Sequence, residues 1–321
     1  MAYTNTDTNM TTSSALSAGM QTYYNRELLR TFEPNLVHLQ FGDEHRMPPH
    51  SGLVMNMRKL IPLETNTKAL SEGDPGESVM LAETEVTVQL QQYGEYARCT
   101  DKLDLTHLDM DIMRRTKLFG DAGARSIDAV VREELAKCAN VIYAGGKASR
   151  AELTAADKLT VEDIRRAVRK LEKAGAPKFN RNGKGYYKCI IGSDAKFSLL
   201  GDALWEDKGK YQQAEQIENG EIGKLFGVIF IESSEAPVYA KAGASEADVG
   251  AALVFGEDAY GVVDLGVVGA SPVRTIVKPL GSAGTADPLD QMATIGWKVD
   301  GFAAVILNQN WLVRVEHAIE A

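Results

Sequence analysis

Between residues 46 and 98 the chain alternates, stops, and alternates again, and no other feature limits the fold as tightly. Leu53, Met55 and Met57 alternate with Val54, Asn56 and Arg58, and later Val86, Val88 and Leu90 alternate with Glu85, Thr87 and Gln89. A period of two puts the apolar members of each run on one face of a strand. The interval holds Pro62, Asn66, Gly73, Asp74, Pro75 and Gly76, which end regular structure. Hairpin loops in compact domains usually run about 2 to 5 residues, whereas this one spans roughly 15 to 20. An isolated two-stranded ribbon is marginal in water. The expected element is therefore a hairpin arm that projects from the body and is ordered against a neighbouring subunit; a floppy surface hairpin is the alternative.

Helical spacing brackets this region. Leu16, Met20, Leu28 and Phe32 recur at helical intervals, with Ser13 or Ser14 as N-cap and Pro34 beyond the end, after a polar stretch at residues 1–13. Downstream, Leu105, Leu108, Ile112, Phe119, Ile127 and Val131 begin a stripe that continues through Leu135, Cys138 and Ile142 to Gly145-Gly146. The stripe predicts a helix over about 105–143, roughly 55 Å long if continuous. Gly120 and Gly123 mark the expected place of a kink or break.

The second half predicts a shorter helix capped by Thr160 and Asp163 and ending at 174–177, a strand over 187–191, and a helix over 194–205. Strand-like runs follow at 225–231, 249–255, 295–299, 302–307 and 311–315, with an Asn308-Gln309-Asn310 turn before the last. The class is α+β, without regular βαβ alternation. At 321 residues the chain exceeds the usual limit for a single core of roughly 250 to 300, so two domains are expected.

Charge and cysteine usage narrow the function. With 35 basic against 44 acidic side chains the formal charge is -9, which argues against a nucleic-acid binder that works by neutralising phosphates. Three well-separated cysteines, Cys99, Cys138 and Cys189, cannot close a complete disulfide framework and read as reduced thiols. The N-terminal segment lacks the basic and apolar regions of a secretory signal, and no apolar run approaches the roughly 20 residues of a membrane span. Folding in a cytoplasm is expected.

Catalytic signatures are scarce. Ala144-Gly145-Gly146-Lys147-Ala148 lacks both the upstream glycine and the Ser or Thr of a phosphate-binding loop, and HExxH, CxxC and GxSxG are absent. Asp104, His107, Asp109 and Asp111 have the density of a divalent-metal site. On a helix only Asp104, His107 and Asp111 share a face, and acidic residues in a first turn are expected from the helix dipole. Capping is the preferred reading, with a metal-dependent hydrolase using Asp104, His107 and Asp111 as the competing function. His38, His45, His50 and His317 read as scattered surface or core histidines. No catalytic, cofactor-binding or metal-ligating residue is assigned.

Four blocks carry a family resemblance. Residues 219–234 read NGEIGKLFGVIFIESS, residues 253–261 LVFGEDAYG, residues 286–291 ADPLDQ followed by Ile295-Gly296-Trp297-Lys298, and residues 304–316 AVILNQNWLVRVE. In order and spacing they resemble the major capsid proteins of tailed double-stranded-DNA bacteriophages, the group typified by the phage N-four capsid protein. The resemblance implies a Hong Kong-type fold. Its parts would be an N-terminal arm (1–22), an extended loop (46–100), a peripheral domain (23–45, 101–150 and 268–321) carrying the long spine helix, and an axial domain (151–267). It also implies a shell subunit rather than an enzyme, without cofactor or membrane. Homo-hexamers and homo-pentamers would form an icosahedral virion shell in the host cytoplasm, enclosing DNA without sequence-specific binding. Scaffold, portal and decoration proteins are the implied partners, and an encapsulin-like compartment shell is the structural alternative. Lys59 or Lys68 could serve a Lys–Asn crosslink of the kind some such shells carry, but no Asn partner or activating Glu is identified, so none is predicted.

Overall fold

The structure is a computed structural model that describes residues 37–48, 50–60, 78–101, 112–181, 183–202, 221–265, 273–282 and 287–319, with positions 63, 67, 69 and 205. The expected N-terminal arm and first helix, the Asp104/His107/Asp109/Asp111 group and the first two residues of the 219–234 block, Asn219 and Gly220, lie outside the described residues.

Both alternating runs form strands, β2 (Val54–Leu60) and β3 (Glu83–Gln89). They pair antiparallel with Met55 opposite Val88 and Met57 opposite Val86, which puts the apolar members of both runs on one face. Through Val88, Met55 and Met57 that face packs on Met47, Leu90, Val263 and Ala303 at the base of the ribbon.

Five strands form the sheet beneath: β1 (Asp43–Met47), β4 (Gln91–Thr100), β12 (Tyr260–Leu265), β13 (Val273–Lys278) and β14 (Met292–Ile306). The two C-terminal runs expected at 295–299 and 302–307 are one strand, β14. Its Asp300-Gly301 step, which reads as a breaker, is an irregularity in the ladder with β4, and on the opposite side of the strand it is where the partner changes from β13 to β12. A Cβ on Gly301 would come within 2.8 Å of the Leu265 side chain, so the close approach there calls for glycine.

The other sheet has eight strands among the described residues, in the order β5 (Val141–Tyr143), β15 (Leu312–Ala318), β11 (Val249–Phe255), β7 (Lys184–Ile191), β9 (Val228–Glu232) and β8 (Glu221–Leu225). Two short strands join its sides, β6 (Phe179–Arg181) on β7 and β10 (Val238–Tyr239) on β11. The run expected at 225–231 is a hairpin, because Phe226 (φ 49°) and Gly227 (φ 75°) take the paired positive-φ geometry of a two-residue turn. The sheets do not follow the linear boundaries 151–267 and 268–321. Hydrogen bonding places β12 in the five-stranded sheet and β15 in the eight-stranded one.

Helix α1 (Ile112–Ala136) is not interrupted at Gly120 and Gly123, both of which are buried, so packing overrides their low propensity. It buries Ile127, Val131 and Leu135 of the stripe read from the sequence, together with Ala124. The helix ends at Ala136, short of Tyr143. Val141, Ile142 and Tyr143, two of them β-branched, instead pair parallel with Arg314, Val315 and Glu316. Its 25 residues span roughly 37 Å at 1.5 Å each.

Helix α2 (Val161–Lys173) carries the expected capping box. Thr160 accepts from the Asp163 N–H, and the Asp163 carboxylate accepts from the Thr160 N–H. Helix α3 (Ser193–Leu200) ends five residues before Trp205. Opposite faces of the eight-stranded sheet are both covered: Leu253, Phe255 and Leu312 enter the core that holds α1, while Ala252, Val254, Val313 and Val315 enter the core under α2 and α3. Burial on both faces explains the continuous apolar run of β11, where alternation is lost.

Candidate assembly surfaces

Two places in this fold leave apolar or charged groups that the folding of one chain does not cover, and a third ties the incoming chain to the body. The first is the ribbon. Its base is buried, but Val79, Met80 and Leu81, which lead into β3, are exposed, Met80 to 91% and Leu81 to 73%. Large apolar side chains in sequence and in water mark a surface that something else covers. Lys59 on β2 lies with its Nζ 5.1 Å from the Trp311 ring centre, and burial lowers its pKa.

The second is the outward face of β4, β14 and β13. Trp297 and Val299 point into the core, so the intervening residues of β14 face out. Register then forms rows across the three strands: Gly94–Lys298–Arg274, Tyr96–Gly296–Ile276, and Arg98–Thr294–Lys278. A Cβ on Gly296 would meet Tyr96 Cβ at 2.8 Å, so glycine there leaves the floor low. The result is a groove of about 660 Å³ whose lining includes Tyr96, Arg98, Ile276, Lys278, Met292 and Lys298. Tyr96 is 61% exposed and accepts a 3.1 Å hydrogen bond from Arg98 Nη2. Asp300 pairs with Arg274 (2.5 Å) and Lys298 (3.0 Å) at one end.

The third is the anchor of the segment that leads in from the N-terminal residues. Asp128, buried on α1, accepts from the His38 N–H (2.7 Å) and pairs with His38 Nδ1 (2.5 Å). The Tyr260 hydroxyl donates to the His38 carbonyl, and burial, with the Asp128 charge beside it, pushes that hydroxyl's pKa up. Three residues on, the Lys188 ammonium lies 3.7 Å from the Phe41 ring centre and 4.0 Å from that of Phe179. Residues 38–41 are thus tied to α1 and to both sheets. A separate buried cluster closes the far edge of the eight-stranded sheet, where fully buried Glu316 takes two 2.7 Å hydrogen bonds from Arg150 and pairs with Arg314 at 2.8 Å.

None of these places has the makings of a catalytic centre. His317 is buried and held below its usual pKa by desolvation, and His45 pairs with Asp43 at 3.2 Å. Cys138 donates to the Leu312 carbonyl, and burial pushes the Cys138 and Cys189 thiols up, away from the thiolate a nucleophile needs. Among the described residues there is no group of three metal-ligating side chains, and no helix is long and apolar enough to cross a membrane.

A profile of the phage capsid protein family matches residues 83–315, nearly three quarters of the chain. The chain belongs to the phage capsid protein family. This capsid protein superposes on the capsid of Ralstonia phage GP4 with a TM-score of 0.67 at 15% identity, over 86% of this chain and 87% of that one. For the capsid asymmetric unit of cyanophage Pam1 the values are 0.65, 15%, 90% and 92%, and for the capsid of cyanophage P-SCSP1u 0.63, 15%, 87% and 87%. No curated protein sequence matches it. The fold is the Hong Kong-type capsid fold, in an α+β chain with few helices and many strands. The capsid protein is a structural subunit of the virion shell and not an enzyme. The hydrolase reading of Asp104, His107 and Asp111 and the compartment-shell reading are not favoured against that match.

Sequence reasoning found the ribbon and its apolar register. It missed the outward face of β4, β14 and β13, because β4 (QQYGEYARCT) lacks an apolar alternation and β13 was not recognised as a strand. The usable signal was the pair Gly94 and Gly296, each of which a Cβ would bring within 2.8 Å of a neighbouring backbone oxygen.

Proposed function

We propose that this capsid protein assembles as homo-hexamers and homo-pentamers into an icosahedral shell around double-stranded DNA, in the host cytoplasm, with scaffold, portal and decoration proteins as partners. Contacts that run head to tail and close into rings meet the geometric requirement. In this reading the five-stranded sheet with α1 is the peripheral domain and the eight-stranded sheet the axial domain. The chain crosses between them at 137–140, at 256–259 and again at 307–311. Residues 1–22 are an N-terminal arm, and 46–100 carry the extended loop, which lies over the adjacent subunit. One observation carries the reading: the ribbon holds Met80 and Leu81 in water, a placement that makes physical sense when a neighbour covers them.

Deleting residues 63–77 tests it. Seven residues would still join β2 to β3 by the numbering of those strands, enough for a hairpin turn. The shortened chain is expected to fold with unchanged circular dichroism and to form no shells in electron micrographs. Normal particles from that variant would remove the assigned role of the loop.

A further inference from the structure

The basic residues of this acidic chain are not spread evenly. Residues 165–188 hold nine of them against one acid, Glu172, in a protein of formal charge -9. Part of that excess is spent inside the fold, since the Lys188 ammonium is turned to the Phe41 and Phe179 rings. Five of the nine, Arg165, Arg166, Arg169, Lys170 and Lys173, belong to α2.

Helical periodicity gathers those five on one side. Val161, Ile164, Ala167, Val168 and Leu171 are buried, and every exposed side chain of the helix is charged. The acids nearby are already engaged. Glu162 pairs with Arg165 at 2.9 Å and Glu172 with Lys178 at 3.0 Å, while buried Asp163 closes the capping box and lies 3.5 Å from Arg166. Asp202, brought to the start of the helix, accepts from the Val161 N–H at 3.1 Å. Arg169, Lys170 and Lys173 are left without a carboxylate partner among the described residues. The helix dipole favours cations in the last turn, which accounts for Lys170 and Lys173 but not for Arg165, Arg166 and Arg169.

The chemistry of this face selects a partner. It offers no exposed apolar side chain on which a polypeptide could seat one of its own. Its cations run from Arg165 to Lys173 over a rise of roughly 12 Å, and a DNA duplex carries one charge per about 1.7 Å. Screening limits the repulsion from acids elsewhere on the chain to about 8 Å at physiological salt, so the local charge decides the contact. Resting on the shell reading, we infer that the outer side of α2 is a contact surface for the phosphate backbone of the enclosed duplex. Arg169, Lys170 and Lys173 neutralise phosphates there, without reading sequence, because phosphate contacts carry none. In the shell this side of α2 faces the interior.

The test uses unassembled full-length chains, a mixed-sequence duplex of about 30 base pairs and salt from about 20 to 150 mM. Wild-type chains should bind the duplex with an affinity that falls as salt rises. Arg169→Gln with Lys170→Gln and Lys173→Gln keeps good helix formers at all three positions. It should weaken binding at the lowest salt by roughly tenfold or more and reduce the slope of log affinity against log salt by about 3. Arg125→Gln with Lys137→Gln and Lys241→Gln removes the same charge from exposed positions elsewhere. That control should change affinity by less than about twofold. Equal losses in the two triple variants assign the binding to net charge and overturn the inference, as do wild-type chains that bind no duplex at low salt; neither result touches the shell reading. Poly-L-glutamate that displaces the duplex more readily than unlabelled duplex does, at equal charge, gives the face to an acidic polypeptide and also overturns it. Shell formation is scored separately by electron microscopy, and the α2 variant should form shells at wild-type yield. Loss of those shells with duplex binding intact makes this face a subunit contact instead. Wild-type chains that never form shells overturn the shell reading itself, and this inference with it.

Discussion

The eight-stranded sheet and the ribbon with its neighbouring outward face solve the problem of burial in opposite ways. All seven residues of β11 are buried, and two separate cores clothe the faces of its sheet. In β3 and β4 exposed residues predominate, and the apolar residues just before β3 are in water. One region closes its surface within a single chain, and the other leaves surface for an assembly to close. Substitutions in the first should therefore appear as lost stability of the monomer, and changes in the second as lost association. The loop deletion described above probes the second kind, and the following substitutions probe the first.

The largest stability effect is expected at Phe255. Its ring is fully buried, with ring centres at 5.4 Å to Tyr260, 6.1 Å to Phe179 and 6.3 Å to Phe41. Phe255→Ala should cost about 3–5 kcal/mol, from lost transfer energy and the cavity left behind. Urea unfolding of the unassembled chain measures it. A loss under 1 kcal/mol would mean that this core is not what holds the two sheets together.

Asp128 comes next. Asp128→Ala leaves the His38 N–H and ring nitrogen without their acceptor in a dry site, which should cost about 3 kcal/mol. Because the lost bonds tie the N-terminal lead to α1, proteolysis near residue 38 should also speed up, whereas Phe255→Ala acts on the whole fold. Thr160→Ala is smaller still, about 1 kcal/mol from the lost cap, and α2 keeps its buried stripe.

Legibility followed the range of the interaction responsible. Local rules placed the capping box, where Thr160 and Asp163 are three residues apart, and the Asn308 turn, where the Asn308 side chain accepts from the Asn310 N–H. The ribbon register was readable because a single period of two fixes which residues face each other. What failed depended on partners distant in sequence. β1 pairs parallel with β12 across more than 200 residues, and nothing in DEHRM announces it. The His38–Asp128 pair joins residues 90 apart, so His38 could only be read as one histidine among several. At 141–143 the helical stripe continued, yet pairing with β15 decided the outcome. At Asp300-Gly301 a breaker signal marked a change of partner inside a strand and not its end.

The smallest effect concerns acid. Asp157 sits in the loop before α2, where its carboxylate accepts from the Thr154 N–H and hydroxyl, both at 2.8 Å, with Lys147 at 3.9 Å. The hydrogen bonds from the Thr154 backbone and side chain, aided by the Lys147 charge, hold its pKa below the ordinary carboxylate value of about 3.9. A pKa lower in the folded chain than in the unfolded one means that the unfolded state takes up the proton first as pH falls. The stabilisation is thus complete above the unfolded pKa and is lost as pH drops through the folded one. The Asp157 backbone carbonyl also accepts from the Ala318 N–H at the end of β15, so the loss should loosen the edge of the eight-stranded sheet and leave the ribbon unaffected. Asp157→Asn should reduce stability at pH 7 and flatten its decline between about pH 5 and pH 3. Hydrogen exchange across that range should show the wild-type change at 154–157 and 314–318. An equal change at 83–89 would break the separation between a region that stabilises itself and one that waits for a neighbour.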